Sequence, residues 1–365
     1  MAEGRTWKRV LLFRSALVFG SLLFALLCAE GAVRIFFKKD VDTDLLMRRI
    51  RERSVKNFLQ PSRDPSIYLE LKPFVNMNFC GGVIVTDEHG DRIPTRPVKV
   101  PNNAVRLAAL GDSSSFGWGV DYEDTYPSIY RDRMMADTKT PIALKNFSVP
   151  TYNTEQEFHV FEKRVLPYKP DLLILHHDHN DPMPRHSLRS DLHPTFGDNV
   201  LHSALVKYVM RRFKYFHAMA NPDYNKDAHE FMGPHMVSGP LYDEHLVILK
   251  ELAELARANR IPVIVVLFNA VIEANEGYRN SPEYLSLHKS LADKLAEMGY
   301  YVLDLYPLYQ DKMKKEGWSD LTNWWLVKEN SADRHPNPAG HRFIADALVT
   351  FTKRHPDLVK VLTRR

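Results

Sequence analysis

Over its C-terminal two thirds, the chain alternates apolar runs of strand length with amphipathic stretches of helical period. Five of the runs are almost continuously apolar: Val105–Leu110, Ala143–Val149, Leu172–Leu175, Ile261–Phe268 and Tyr300–Leu305. Strands that are buried on both faces of a parallel sheet have this pattern. Helical periodicity lies between the runs, most clearly in Leu241–Asn259 and Pro282–Met298. The alternation predicts a doubly wound, three-layer α/β/α sandwich around a five-stranded parallel sheet.

Charge and cysteine content exclude several classes of protein. The formal net charge is only +4 over 365 residues, and the basic side chains are scattered among acidic ones, so no nucleic-acid partner is expected. The only cysteines are Cys28 and Cys80, and Cys28 lies in an apolar segment. Two such cysteines rule out a disulfide framework and argue against a zinc–cysteine site.

The N-terminus carries an apolar segment that follows Lys8 and Arg9 and is interrupted by Arg14. Its uncharged run, Ser15–Ala29, is shorter than the roughly 20 residues that cross a bilayer, but the long Arg14 side chain could reach the membrane surface and extend the span. We interpret residues 1–39 as an uncleaved single-pass anchor. The alternatives are a cleaved signal peptide, which bulky Leu27 disfavours near the cleavage position, and a buried helix of a soluble protein.

The rest of the chain divides by its pattern. Residues 40–104 are irregular and are interpreted as a stalk and lead-in, residues 105–355 as the main domain, and residues 356–365 as a basic tail. Residues 182–240 break the strand–helix alternation and are far longer than a usual connection, which predicts an inserted lid or substrate wall. Within the insertion, residues 201–219 resemble a basic amphipathic helix, with a solvated face favoured over a membrane or anionic contact.

A serine lies on a glycine-flanked turn after the first predicted strand, in the block Leu110–Gly119 (LGDSSSFGWG). In open α/β sheets, ligands bind beyond the carboxyl ends of the strands. The Ser113 hydroxyl would be exposed there, and backbone N–H groups at the start of the next helix could stabilise an oxyanion. The alternative is an ordinary turn in which Asp112 or a serine caps the helix. The block is neither a G-x-S-x-G elbow nor a phosphate loop.

Three further blocks carry polar side chains at loop positions. The second, Asn146–Asn153, and the third, Leu175–Asp181, follow predicted strands, and the fourth, Ala332–His341, precedes the last helix. The Asn180 amide could donate to developing negative charge, although an Asn-Asp pair also forms turns. His335 could take a serine proton, and a carboxylate two residues earlier could orient its imidazole.

In order and spacing, the four blocks resemble those of the SGNH (GDSL-like) hydrolase superfamily over roughly Val105–Phe351, above all its bacterial membrane-anchored members. The family pattern is a Gly-Asp-Ser block, a glycine in the second block, Gly-x-Asn-Asp in the third and Asp-x-x-His-Pro near the end. The resemblance implies a flavodoxin-like sheet and a mechanism without a cofactor. It also implies roles for five residues: Ser113 as nucleophile, His335 as base, Asp333 as orienting acid, and Ser113, Thr151 and Asn180 as oxyanion donors.

The chain departs from the family pattern at three places. Thr151 stands where the second block has glycine, and its β-branched side chain would narrow the site. Asp178 replaces the glycine of the third block, beside three histidines. The step from Asp333 to His335 is two residues rather than three, which changes the angle at which the acid would meet the imidazole.

The histidines around Asp178 raise a metal hypothesis, because imidazole and carboxylate are common zinc ligands. Adjacent residues of a strand point to opposite faces, so His177 with His179, or His176 with Asp178, could share an ion. We favour no metal. His341, which follows Gly340, is predicted to cap the last helix.

These features together predict a serine esterase that hydrolyses O-acyl esters through an acyl-enzyme. By the resemblance, the substrate is an O-acylated envelope glycan or a lipid ester, and the main domain lies on the periplasmic face of the membrane. Two alternatives stay open: a carbohydrate O-acetyltransferase, which a sugar acceptor would accelerate, and a non-catalytic module of the same fold that binds a glycan or a partner.

Overall fold

The computed structural model of the chain describes residues 3–36, 57–96, 100–178, 181–182, 239–268, 282–318 and 335–363. The chain divides into two compact units. The first unit comprises Met1–Ser54 and Ser190–Ala228, and the second comprises Val55–Arg189 and His229–Arg365. The insertion predicted at residues 182–240 and its basic helix fall almost wholly outside the described residues.

The described part of the first unit is one helix, Glu3–Phe36, of 34 residues. Its segment Leu12–Val33 contains 22 residues, and it is the one helix among the described residues that is long and apolar enough to cross a membrane. At 1.5 Å per residue it reaches about 33 Å, which matches a hydrocarbon core of about 30 Å. Large apolar side chains such as Leu12, Phe19 and Phe24 are exposed along it. The helix fits a single-pass anchor or a signal sequence.

The second unit begins with two small antiparallel sheets. Strands β1 (Leu59–Pro61) and β2 (Leu69–Leu71) form the first, and β3 (Asn76–Phe79) and β4 (Gly82–Val85) form the second. Both bond to the rest of the unit: the Tyr152 hydroxyl donates to the carbonyl of β2 at Leu69 (2.8 Å), and the N–H of Val83 in β4 donates to Asp121 (2.7 Å). Residues 57–96, assigned from the sequence to the stalk and lead-in, thus contact the main domain directly.

The centre of the second unit is a five-stranded parallel sheet in the order β6-β5-β7-β8-β9. The strands are β5 Val105–Leu110, β6 Ile142–Asn146, β7 Leu172–His177, β8 Val263–Leu267 and β9 Tyr301–Asp304. The first strand of the sheet thus lies between the second and the third, which is the flavodoxin-like order. The predicted α/β/α sandwich with a five-stranded parallel sheet is confirmed, and each predicted strand is present within three residues of its predicted ends.

Helices cover both faces of the sheet. On one face, Tyr126–Thr138 packs against Pro338–Lys353, and on the other Thr154–Val160 packs against Pro240–Ala258. The described residues of the second unit also form the α-helices Ser113–Phe116, Leu166–Tyr168, Pro282–Glu297, Tyr306–Glu316 and Pro356–Leu362, with a π-helical turn at Phe161–Val165 and a 3₁₀ turn at Tyr122–Asp124.

The core explains why the strands are continuously apolar. On the face covered by Tyr126–Thr138, Leu107 of β5, Ile174 of β7 and Val266 of β8 are fully buried. The residues next to them along each strand, such as Leu173, point to the other face and are equally buried. Burying both sides of a strand removes the polar alternation of a half-exposed one. The helix Pro356–Leu362, in the predicted basic tail, also adds Leu358 and Leu362 to this core.

Candidate active site

Ser113 is presented by a sharp turn at the carboxyl end of β5. The turn needs glycine at position 111, which has a φ of +157°, because a Cβ there would lie 2.5 Å from the Cβ of His176. Asp112 then caps the short helix Ser113–Phe116, its Oδ1 accepting the N–H of Ser114 at 3.0 Å. The cap that the alternative interpretation predicts is therefore present, and it places Ser113 at the first position of the helix.

His335 is held against Ser113 by the start of the helix Pro338–Lys353. Asn337 is the N-cap of this helix, and its Oδ1 accepts the N–H groups of Ala339 (2.9 Å) and Gly340 (3.0 Å). Such a cap contributes typically about 1 kcal/mol and fixes the direction in which the preceding loop enters the helix. Two residues before the cap, the Nε2 of His335 lies 2.8 Å from the Oγ of Ser113. This distance is a hydrogen bond between a hydroxyl and an imidazole.

The second block ends in a tight turn beside the serine. Asn146 joins this block to the first, since its amide donates to the Ser115 carbonyl at 2.9 Å. In the turn, the N–H of Tyr152 donates to the carbonyl of Val149 at 3.2 Å. Pro150 occupies the second turn position and Thr151 the third, where Thr151 has a φ of +78°. A positive φ at this position is typical of a type II turn, which favours glycine.

Replacing Thr151 by glycine is expected to raise the free energy of unfolding by about 0.5–1 kcal/mol. A left-handed backbone costs a residue with a Cβ about 1–2 kcal/mol, and glycine avoids this cost. Glycine also loses more conformational freedom on folding, which offsets about 0.5–1 kcal/mol of the stabilisation. Urea unfolding of the variant would measure the difference. Thr151→Ala is the matched control, because it removes the side chain but keeps the Cβ. Equal free energies of unfolding for the two variants would show that threonine does not destabilise the fold through backbone strain at this φ.

The third block sends two neighbouring histidines to opposite faces of the sheet. His176 lies under the turn of the first block, with its Nε2 3.7 Å from Oδ1 of Asp112 and its Nδ1 3.3 Å from the Tyr126 hydroxyl. His177 points to the other face, where its Nε2 lies 2.8 Å from the Nε2 of His245. This split is the one expected of adjacent residues in a strand.

One group of described side chains could hold a metal ion: Asp112, His176 and Asp178, whose ligand atoms lie within 4.8 Å of one another. His176 and Asp178 are one of the two pairs expected from the sequence, and Asp112 joins them from the neighbouring strand end. One imidazole and two carboxylates suit zinc. Oδ1 of Asp112 already accepts the N–H of Ser114, and Nδ1 of His176 bonds to the Tyr126 hydroxyl; the mechanism proposed below assigns no step to these three residues.

Buried carboxyl groups surround the same point. Burial raises the pKa of Glu157 and of Asp181 well above the usual range, and the nearby carboxylates of Asp112 and Asp178 raise both pKa values further. Burial also raises the pKa of Asp112, which nearby His176 opposes. In each of these groups, burial thus favours the neutral carboxylic acid over the carboxylate.

His341 does not cap the helix that follows the fourth block, Pro338–Lys353, so that prediction is wrong. Asn337 is the cap, and His341 lies fully buried in the helix, where its Nδ1 accepts the N–H of Tyr126 at 3.2 Å. Burial lowers the pKa of His341 to about 3, with Arg92 among the positive groups that lower it further. The neutral ring therefore joins two helices of one layer as a hydrogen-bond acceptor.

Of the residues predicted for the site, Ser113, His335 and Thr151 are described, and the first two are in contact. Asn180 and Asp333, like His179, lie outside the described residues. Two further residues bear on the site without being predicted for it, Trp118 and Arg92. Trp118 is part of the first block, but nothing in that block indicates a contact with His335. Arg92 carries no motif at all.

Comparison with known proteins agrees with this architecture. The model of the GDSL-like Lipase/Acylhydrolase family matches residues 109–343, which is more than half of the chain. No curated protein matches the chain significantly.

Among solved structures, the chain is similar at low identity to the three that follow. TesA is 14% identical, with 68% of this chain and 98% of that chain covered and a TM-score of 0.42. The esterase EstA from Pseudoalteromonas sp. is 13% identical, with 69% and 98% covered and a TM-score of 0.41. The acetylxylan esterase Axe2 from Geobacillus stearothermophilus is 13% identical, with 70% and 96% covered and a TM-score of 0.41. From its family match, the chain belongs to the GDSL-like lipase/acylhydrolase family and is a carboxylic ester hydrolase.

Proposed function

We propose that the protein is a serine esterase in which Ser113 is the nucleophile and His335 the general base. One observation carries the proposal: the 2.8 Å hydrogen bond between the Oγ of Ser113 and the Nε2 of His335. A serine hydroxyl is a weak nucleophile at neutral pH and needs an adjacent base to take its proton. The bond joins residues from the two ends of the domain, at the edge of the sheet where ligands bind in such folds.

The reaction follows from that contact. As the Ser113 Oγ bonds to the ester carbonyl carbon, its proton passes to the Nε2 of His335. The resulting imidazolium gives the proton to the leaving alkoxide when the C–O bond breaks, which leaves an acyl-serine. Water then attacks the acyl-serine while His335 takes its proton, and the acid leaves as the proton returns to the Ser113 oxygen.

We assign the oxyanion donors as the backbone N–H groups of Ser113 and Thr151 and the side-chain amide of Asn180, by their positions in the family pattern. Each donor of this kind contributes about 10²–10³ to the rate. The turn that carries Thr151 follows β6, the strand beside that of Ser113, which supports its assignment. Asp333 is proposed as the acid that orients His335 from two residues earlier in the chain.

The proposed substrate is an O-acyl ester of an envelope glycan or of a lipid, with the catalytic domain on the periplasmic side of a single-pass anchor. The apolar helix that includes Leu12–Val33 supports a place at a membrane. The resemblance to membrane-anchored bacterial members supports the envelope substrate. A tether of this kind keeps the enzyme near surface esters and away from soluble ones.

Labelling by a fluorophosphonate tests the assignment of the nucleophile. The probe reacts with a serine only where a base activates it, so we expect intact-mass analysis of the full chain in detergent to show one adduct and peptide mapping to place it on Ser113. Ser113→Ala should abolish the adduct, and His335→Ala should slow it by about 10²-fold or more. Ser114→Ala is the matched control and should label normally.

Each outcome decides between the alternatives. An adduct on another serine would overturn the role of Ser113. Folded protein that takes no label would favour the non-catalytic binding module. Labelled protein that releases acid slowly in water, but rapidly passes its acyl group to a sugar acceptor, would favour the acetyltransferase over the esterase.

A further inference from the structure

The ring of Trp118 lies flat against the ring of His335. Their centroids are 4.8 Å apart and their planes differ by only 16°. The Nε2 of the same imidazole is hydrogen-bonded to Ser113 at 2.8 Å. The hydrogen bond to Ser113 thus sets the direction of the reactive nitrogen, and the stack on Trp118 sets the plane of the ring.

Trp118 itself is tightly held. It is 8% exposed, and its ring meets that of Phe79 edge-on at 4.5 Å, with an angle of 84°. Phe79 packs in turn on Phe58 at 4.9 Å, and Phe58 stacks on Phe116 at 6.0 Å. Phe58 and Phe79 belong to the small N-terminal elements of the second unit. These aromatic contacts join residues 57–79 to the loop that follows the nucleophile.

The backbone that carries Trp118 is wrapped around the guanidinium of Arg92. Nη1 donates to the carbonyls of Phe116 and of Gly117 (2.9 Å), and Nη2 donates to those of Val120 (2.6 Å) and Val83 (3.2 Å). The guanidinium also lies 4.4 Å from the centre of the Phe116 ring. Arg92 is 2% exposed, and burial lowers its pKa to about 10, so it stays charged at neutral pH.

Glycine is required where the loop meets this arginine. Gly117 has a φ of +88°, and a Cβ there would lie 2.8 Å from Nη1 of Arg92 and 2.3 Å from the side chain of Thr125. A flat, five-donor guanidinium can bond several carbonyls at fixed angles, which an ammonium group cannot do. Arg92 therefore fixes the path of residues 116–120, and with it the place of Trp118.

We propose that Trp118 is the positioning residue of the general base, and that Arg92 acts through it by holding residues 116–120. The inference rests on the proposed function, because it assigns His335 that role. An imidazole turns readily about its outer side-chain bond, and only one plane directs Nε2 at the serine. The indole face limits this rotation. It also attracts the imidazolium that forms when His335 takes the proton.

Steady-state hydrolysis of p-nitrophenyl acetate by the full chain tests the proposal with two substitutions. Trp118→Phe keeps an aromatic face for His335, whereas Trp118→Leu keeps only apolar volume. We expect Trp118→Leu to lower kcat about 10- to 100-fold with KM unchanged, because the base is misplaced but the substrate still binds. Trp118→Phe should restore most of that kcat, even if urea unfolding finds the two variants equally destabilised.

Arg92→Lys extends the test to the loop. This variant should also lower kcat rather than raise KM. The double variant with Trp118→Leu should lose little more kcat than Trp118→Leu alone, since both substitutions act through the imidazole of His335. Arg106→Lys, at an exposed position, is the matched control.

Two results would overturn the inference: a Trp118→Leu variant with the native kcat, or equal losses in the leucine and phenylalanine variants. A loss confined to KM would place Trp118 in substrate binding instead. Ser113→Ala separates this failure from that of the proposed function. If Ser113→Ala is inactive while Trp118→Leu is fully active, only the positioning role fails. If hydrolysis survives Ser113→Ala, the esterase mechanism itself fails.

Discussion

Replacing Ser113 by alanine is expected to lower kcat for p-nitrophenyl acetate by about 10⁴-fold or more, to the level that the remaining oxyanion donors support. The hydroxyl is the atom that forms the acyl-enzyme, and alanine leaves His335 with no proton to accept. The fold should survive, because the cap of the helix Ser113–Phe116 is made by the Asp112 side chain and a backbone N–H. Initial rates with acetate, butyrate and decanoate esters would measure the loss and give the preferred chain length of the native enzyme.

Ser114→Ala provides the control for that experiment, because Ser114 is the next residue of the same helix, and it is buried whereas Ser113 is half-buried. It should keep the native kcat. Activity that survives Ser113→Ala in folded protein would assign the chemistry to another group. Native protein that is folded yet inactive toward all three esters would favour the transferase or the binding module.

Replacing His335 by glutamine is expected to lower kcat by about 10²–10⁴-fold. Glutamine can still hydrogen-bond to Ser113 Oγ, but it cannot take the proton at neutral pH. The Asn337 cap keeps the loop in place, so circular dichroism and the urea midpoint should change little. The rate that remains should rise steadily with pH, because hydroxide then has to remove the serine proton.

The double variant Ser113→Ala/His335→Gln gives the sharper test of the pair. Residues that act as one unit are not additive, so the double variant should be no slower than Ser113→Ala alone. Losses that multiply would show that the two residues act in separate steps, and the 2.8 Å contact would then be only structural.

Much of the fold could be predicted because burial on both faces leaves a mark in the sequence. Val105–Leu110 is a strand with the predicted ends, and Pro282–Met298 is a helix over nearly all of its predicted length. In both segments the apolar period reports which sides meet the core. The N-terminal elements have no such period. β1 and β3 are three and four residues long, and their partner strands β2 and β4 bond to the main domain through backbone groups, at Leu69 and Val83.

The candidate site divides in the same way. Ser113 and His335 lie in short blocks whose order and spacing are visible in the sequence. The sequence by itself therefore predicted both residues and the resemblance to the family. The contacts that position them depend on residues far apart in the chain. The stack of Trp118 on His335 and the Arg92 bonds to residues 116–120 exist only once the strands have their order in space.

His341 shows the limit most clearly, since its place after Gly340 suggested a cap and its burial makes it an acceptor for Tyr126. Local sequence determines period, turns and short motifs, because these arise from neighbouring residues. Only the tertiary structure decides which side chains meet across the sheet, because that follows from strand order, face and burial, and no short stretch of sequence contains these.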